Sequence, residues 1–114
     1  MIEVDRELVR AFHLMWDHYP NPSSLIHKSR EVVAVNPACK SIPREVGSIC
    51  AREQPAEKHR GCRANVAVET HSAQMTHNRR AGGTETLSFW LPIDGHPDFY
   101  IHFSMPVPQN PESL

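Results

Sequence analysis

The stretch Ser24–Lys40, SLIHKSREVVAVNPACK, decides how this chain folds. Ser24–His27 reads as a short apolar strand, Lys28, Ser29 and Arg30 as a polar turn, and Glu31–Val35 as a second strand. Asn36-Pro37 then opens a helical turn reaching Ile42. Asn36 suits an N-cap, because its side-chain oxygen can accept one of the unpaired N–H groups at a helix start. Pro37 suits the first helical position, where no N–H is needed. A hairpin is therefore expected to feed directly into a short helix.

On the N-terminal side, Asp5 to Tyr19 predicts a helix capped by Asp5. Leu8, Phe12, Met15, Trp16 and Tyr19 recur at three- and four-residue spacing and make one apolar stripe. Pro20, Asn21 and Pro22 stop it. Such a stripe must be covered, by the chain's own sheet or by the same helix of a second subunit.

On the C-terminal side, Pro43 and Gly47 bracket one short helical turn. Residues 51–60, AREQPAEKHR, predict an exposed, mobile connection. Gly61–Ser72 predicts the second, longer helix, rich in small apolar residues that let it lie close to a sheet. Its β-branched Val66, Val68 and Thr70 mean that packing must hold it. Gln74–Arg80 can form a strand, and Ala81-Gly82-Gly83 is a turn signal. Thr84–Leu91 alternates, with Leu87, Phe89 and Leu91 opposite Thr86, Ser88 and Trp90. After a turn over Pro92–Pro97, Asp98–Met105 alternates again, with Phe99, Ile101, Phe103 and Met105 opposite Tyr100, His102 and Ser104. Pro106, Pro108 and Pro111 end regular structure. The expectation is an α+β fold: a five-stranded antiparallel sheet with helices on one face and an N-terminal amphipathic helix.

Three segments resemble the PAS sensor family, and the resemblance as a whole extends over about residues 8–106. EVVAVNPACK (31–40) is similar to that family's strand followed by Asn-Pro-Ala. WLPIDGHPDFYIHFSM (90–105) resembles its closing strands joined by a polar Gly turn. GSICAREQPAEKHRGCRANVAVET (47–70) is similar to a cysteine-containing subset of PAS domains. The hairpin turn His27-Lys28-Ser29-Arg30 departs from the family in lacking its usual Asp and Gly. The resemblance implies a particular strand order, a pocket between sheet and long helix, and an initial helix that folds back on the sheet or pairs with a second copy.

Composition sets the outer bounds. At 114 residues, with 39% hydrophobic and 22% charged residues, the chain fits one globular domain. Its net charge of −1 leaves no basic footprint for nucleic acid or for an anionic membrane surface. No apolar run approaches the ~20 residues of a membrane span, and the acidic start Met1–Asp5 is unlike a signal peptide. Three cysteines without a CxxC spacing suit a reducing compartment. A cytoplasmic location is therefore expected. Eight histidines would turn the chain net positive in mild acid, although most are expected to be solvated surface residues.

The chemistry-bearing residues point to few reactions. Structural zinc takes four Cys/His ligands with at least one close pair. Cys50, His59 and Cys62 offer three, so a metal or redox site competes with the simpler reading of inert thiols. His71 and His59 match by position only the helix histidine that holds haem in some PAS domains. Cys39 and Cys62 lack the Asn-Cys-Arg-Phe-Leu surroundings of the family's flavin-adduct cysteine. Gly82-Gly83 has no GK[ST] sequel for a phosphate, and Cys62 with His59 has no nucleophile-elbow context. An enzyme is not expected, and no cofactor can be named from these residues.

The expectations are accordingly a capping or dimerisation helix over 1–20, a PAS-like domain over 21–106 and a tail over 107–114. The function expected is a non-catalytic sensory or protein-interaction module in signal transduction; the alternative is a redox or metal sensor using Cys50, His59 and Cys62. Phe89, Leu91, Ile101, Phe103 and Val66 are the candidates for a small-molecule pocket between sheet and long helix. Leu8, Phe12, Met15, Trp16, Trp90 and Tyr100 are the candidates for a homodimer interface, with Trp90, Tyr100 and His102 on the sheet face beneath the first helix or a partner. A downstream signalling protein completes the expected partners; nucleic acid and membrane do not belong among them.

Overall fold

Helix α1 (Arg6–Trp16) starts where the sequence places its cap. Asp5 is extended, and its carboxylate accepts the Glu7 N–H at 2.8 Å, satisfying an amide the helix leaves unpaired. The computed structural model describes residues 4–41, 46–49, 62–79 and 85–107. Of the expected features, the turn at Pro43, the 51–60 connection, the 81–83 turn and residues 108–114 of the tail lie outside the described residues. Helix α1 ends at Trp16 rather than Tyr19. The Tyr19 N–H bonds back to the Trp16 carbonyl at 3.0 Å, and its hydroxyl donates to the Ser104 carbonyl at 2.7 Å. Leaving the helix lets the Tyr19 ring turn onto the sheet.

Strands β1 (Ser23–His27) and β2 (Val32–Val35) form the expected antiparallel hairpin, with a register shift between Leu25 and Ile26. The turn closes without glycine: Arg30 takes the left-handed conformation at φ 81°, which costs a non-glycine residue ~1–2 kcal/mol. Its N–H bonds to the His27 carbonyl at 2.7 Å and its Nη1 to the Lys28 carbonyl at 2.8 Å. These bonds hold the turn where Asp and Gly are missing.

A short 3-10 helix, Pro37–Ser41, follows, but the expected role of Asn36 needs correction. Its side chain does not cap that helix. Oδ1 accepts the Ser23 N–H at 2.9 Å, and Nδ2 donates to the carbonyls of Trp16, Tyr19 and Asn21 at 3.2, 3.1 and 2.9 Å. The α1–β1 connection arrives with carbonyls pointing inward, and a buried amide satisfies them better than a hydroxyl or carboxylate could. Asn36 thereby ties the end of α1 to the end of β2.

Helix α2 (Ala64–Thr70) has seven residues, shorter than the expected 61–72. It has no side-chain cap at its start and ends on His71 in the left-handed conformation at φ 48°. Strands β3 (Gln74–Arg79), β4 (Glu85–Pro92) and β5 (Phe99–Pro106) complete one antiparallel sheet, ordered β2-β1-β5-β4-β3. The last strand lies at the centre, paired with β1 on one side and β4 on the other.

The two sheet faces carry separate cores. On the outer face, Leu8 and Phe12 of α1 pack with Leu25, Val33, Ala34 and Ile101, joined by Val9, Trp16, Leu91, Phe99 and Phe103. On the inner face, Ala64 and Ala67 of α2 pack with Ile26, Val32, Trp90 and Tyr100. This reverses the expected assignment of helices to faces. The alternation in β4 and β5 is as read, but α1 covers Leu91, Ile101 and Phe103, with Phe89 stacked on Phe103, and α2 covers Trp90 and Tyr100. The physical reason is size matching. The inner face presents a large indole and phenol, against which α2 sets the small Ala64 and Ala67 with Val68 beside them, while the outer face accepts the bulky stripe of α1.

Candidate ligand and partner site

Helix α1 is held firmly at its C-terminal end. Trp16 lies 4.9 Å from the Phe103 ring and 5.4 Å from the Tyr19 ring; Tyr19 meets Phe103 edge-on at 5.6 Å, and Phe103 stacks on Phe89 at 4.7 Å. Aromatic pairs of this kind each add ~0.5–1.5 kcal/mol beyond buried area. Burial raises the Tyr19 phenol above its ordinary pKa, partly offset by a side-chain hydrogen bond with Asn21.

Along its flank the same helix leaves space. A cleft of about 290 Å³ is lined by Glu7, Leu8, Ala11, Phe12, Met15 and Trp16 from α1 and by Ile93, His96 and Ile101 from the β4–β5 side. Glu7 and His96 are its only polar lining residues among those described. Its volume sits at the lower end of the ~300–1,000 Å³ usual for small-molecule sites. Beside it, Leu14 and Met15 are 75% and 72% exposed, an apolar pair that the chain's own sheet does not cover.

The inner face has a different chemistry. The imidazole of His102 stacks on Trp90 at 4.8 Å, with an interplanar angle of 16°. Its Nδ1 lies 2.9 Å from the Phe89 carbonyl; a carbonyl only accepts, so Nδ1 carries the hydrogen. The Arg30 guanidinium sits 5.7 Å from the centre of the Tyr100 ring, and its Nη2 donates to Asn65 Oδ1 on α2. Arg30 therefore connects the hairpin turn, the central strand and α2. Lys28 pairs with Asp98 at 3.2 Å, His71 with Asp94 at 2.9 Å, and His77 with Glu85 at 2.7 Å, all at least partly exposed.

The structure groups the expected site residues differently from the sequence reading. Of the expected pocket set, Phe89, Leu91, Ile101 and Phe103 share the outer face, and Ile101 lines the cleft. Val66 is half-buried on α2, beyond the opposite face, so the five do not form one pocket. Of the expected dimer set, Leu8 and Phe12 are buried beneath α1, Trp90 and Tyr100 are buried on the inner face, and Trp16 is half-buried; Met15 stays at the surface. Cys62 is exposed and Cys39 buried, with the Cys39 thiol 3.3 Å from the Ser23 carbonyl. Cys50 and His59 lie outside the described residues, and no cluster of metal-ligating side chains occurs among those described. No described helix is long and apolar enough to cross a membrane.

Sequence reasoning missed Asn36 as a clamp and Ile93, His96 and Ala11 as cleft residues. Ala11 follows Leu8 by three and could have been read onto the α1 stripe. Ile93 and His96 lie in a turn and gave no periodic signal.

No protein-family model matches the chain, and no curated protein matches it. Solved structures do. A LOV protein from Rhodobacter sphaeroides superposes with a TM-score of 0.62 at 17% identity, over 93% of this chain and 70% of that one. A sensory box sensor histidine kinase from Vibrio cholerae superposes at 0.63 and 14% identity, over 90% and 89%. The PAS domain of BvgS from Bordetella pertussis superposes at 0.60 and 12% identity, over 94% and 91%.

Proposed function

With the PAS fold as premise, we propose that this chain is a non-catalytic sensory and protein-interaction module of cytoplasmic signal transduction. The observation that carries this reading is the uneven attachment of α1. The helix is anchored at Trp16, Tyr19 and Asn36, while Glu7, Ala11 and Met15 border an open apolar cleft. A small apolar molecule entering there touches Leu8, Phe12 and Ile101, the same side chains that dock the helix. It shifts the position of α1 to the extent that it binds one helix position more tightly than the other. The exposed Leu14 and Met15 then present that change to a downstream protein or to a second copy of the chain.

The two tryptophans lie on opposite faces, which supplies the test. Small apolar compounds are titrated into the Trp16→Phe and Trp90→Phe variants, with amide exchange followed across residues 6–16. A binding compound is expected to change Trp16 emission and α1 exchange and to leave Trp90 emission nearly constant. If compounds that raise the melting temperature act on Trp90 and leave α1 exchange unchanged, the outer-face reading is wrong.

A further inference from the structure

The two edges of the sheet are finished differently. Beyond β2, residues 47–49 close the edge. The Gly47 N–H bonds to the Val32 carbonyl and the Val32 N–H to the Ser48 carbonyl, both at 2.8 Å, and Glu31 bridges to Ile49. Beyond β3 nothing comparable occurs among the described residues. Its six residues pair with β4 in unbroken register from Gln74↔Trp90 to Arg79↔Glu85, and no backbone bond runs outward from them to another described residue. The strand also lacks the usual edge protections. It has no proline and no bulge, its one permanent charge is Arg79 at the end, and Met75 stands 53% exposed. Such an edge is a template for another strand.

We infer that the β3 edge pairs antiparallel with β3 of a second copy, about a two-fold axis perpendicular to the sheet through Thr76. Facing residues in a ladder must share a sheet face, so even-numbered positions meet even-numbered ones. With the axis at Thr76, Thr76 meets the partner's Thr76, Gln74 meets the partner's Asn78, and Met75 meets the partner's His77. Thr–Thr is a favourable cross-strand pair, and neither of the other two opposes like charges. The two Arg79 side chains fall at opposite ends, ~20 Å apart along the strands, beyond the ~8–10 Å range of unscreened repulsion. Parallel in-register pairing would set them side by side, and an axis at His77 would oppose two imidazoles. The closed two-fold arrangement uses the same patch on both copies. It goes beyond the sensory reading and does not depend on it, since α1 remains free on the outer face.

The whole chain is studied by sedimentation over a wide concentration range, with Thr76→Lys, Thr76→Cys and Met15→Cys variants, the cysteine variants in a Cys62→Ser background. A monomer–dimer equilibrium is expected, weakened at least tenfold by Thr76→Lys, which opposes two ammonium groups at the axis. Mild oxidation is expected to link Thr76→Cys through that position in both copies, as mapped by peptide mass spectrometry. A chain that stays monomeric at every concentration overturns the inference. So does cross-linking at Met15→Cys with none at Thr76→Cys, which would place the dimer on α1.

Discussion

On the inner face two alanines of a seven-residue helix lie against an indole and a phenol; on the outer face a longer helix lays Leu8, Phe12 and Trp16 over aliphatic residues and phenylalanines. The inner arrangement relies on close approach. Small helix residues bring backbone near to large sheet residues, and the Arg30–Tyr100–Asn65 contacts tie it down. The outer arrangement relies on bulk. Bulky side chains fill the space between helix and sheet, and at the helix flank a cleft opens. A face filled by alanines has little room for a ligand, whereas a face spanned by large side chains can open by moving a few of them.

Phe12→Ala is expected to give the largest effect that tests this contrast. Removing the buried ring should cost about 3–5 kcal/mol and, with the cleft already alongside, release α1 before the sheet melts. Chemical denaturation with exchange resolved over α1 and β5 checks both points; simultaneous loss of the two elements would show that the outer face is not the looser one. Ala67→Leu probes the other side. Overpacking against Trp90 and Tyr100 should cost about 1–3 kcal/mol in denaturant, with α1 exchange unaffected. A neutral result would mean that the inner face has spare volume.

Arg30 gives a finer comparison. Both Arg30→Ala and Arg30→Gly lose the guanidinium contacts, but glycine is at ease at φ 81°. Arg30→Gly is therefore expected to be about 1 kcal/mol more stable than Arg30→Ala in equilibrium unfolding. The smallest effect belongs to Tyr19. Burial raises its folded-state pKa, so its contribution is fully present below the unfolded value of about 10 and is lost as pH rises through the folded value. Stability should fall in that alkaline window, and Tyr19→Phe should fall less steeply, as followed by melting temperature against pH.

Much of the fold was legible from the chain. Period-two alternation placed β4 and β5 within a residue or two of their observed limits, and the Leu8–Phe12–Trp16 spacing placed α1. The site was far less legible. Asn36 looked like a helix cap because capping is a local pattern, while the carbonyls it serves belong to Trp16, Tyr19 and Asn21, brought to it by the fold. Ile93 and His96 reach the cleft from a turn, where no period marks burial.

By itself the sequence determined the order of helix, strands and turns, and which residues share each strand face, because those depend on local geometry and on steric and hydrogen-bonding preferences within a few positions. Only the tertiary structure decided which helix covers which face, what Asn36 binds and where the cleft lies. Those depend on the shapes of surfaces formed by residues far apart in the chain, and matching alanines to Trp90 and Tyr100 or Phe12 to Ile101 is a property of volumes in contact that no periodicity encodes.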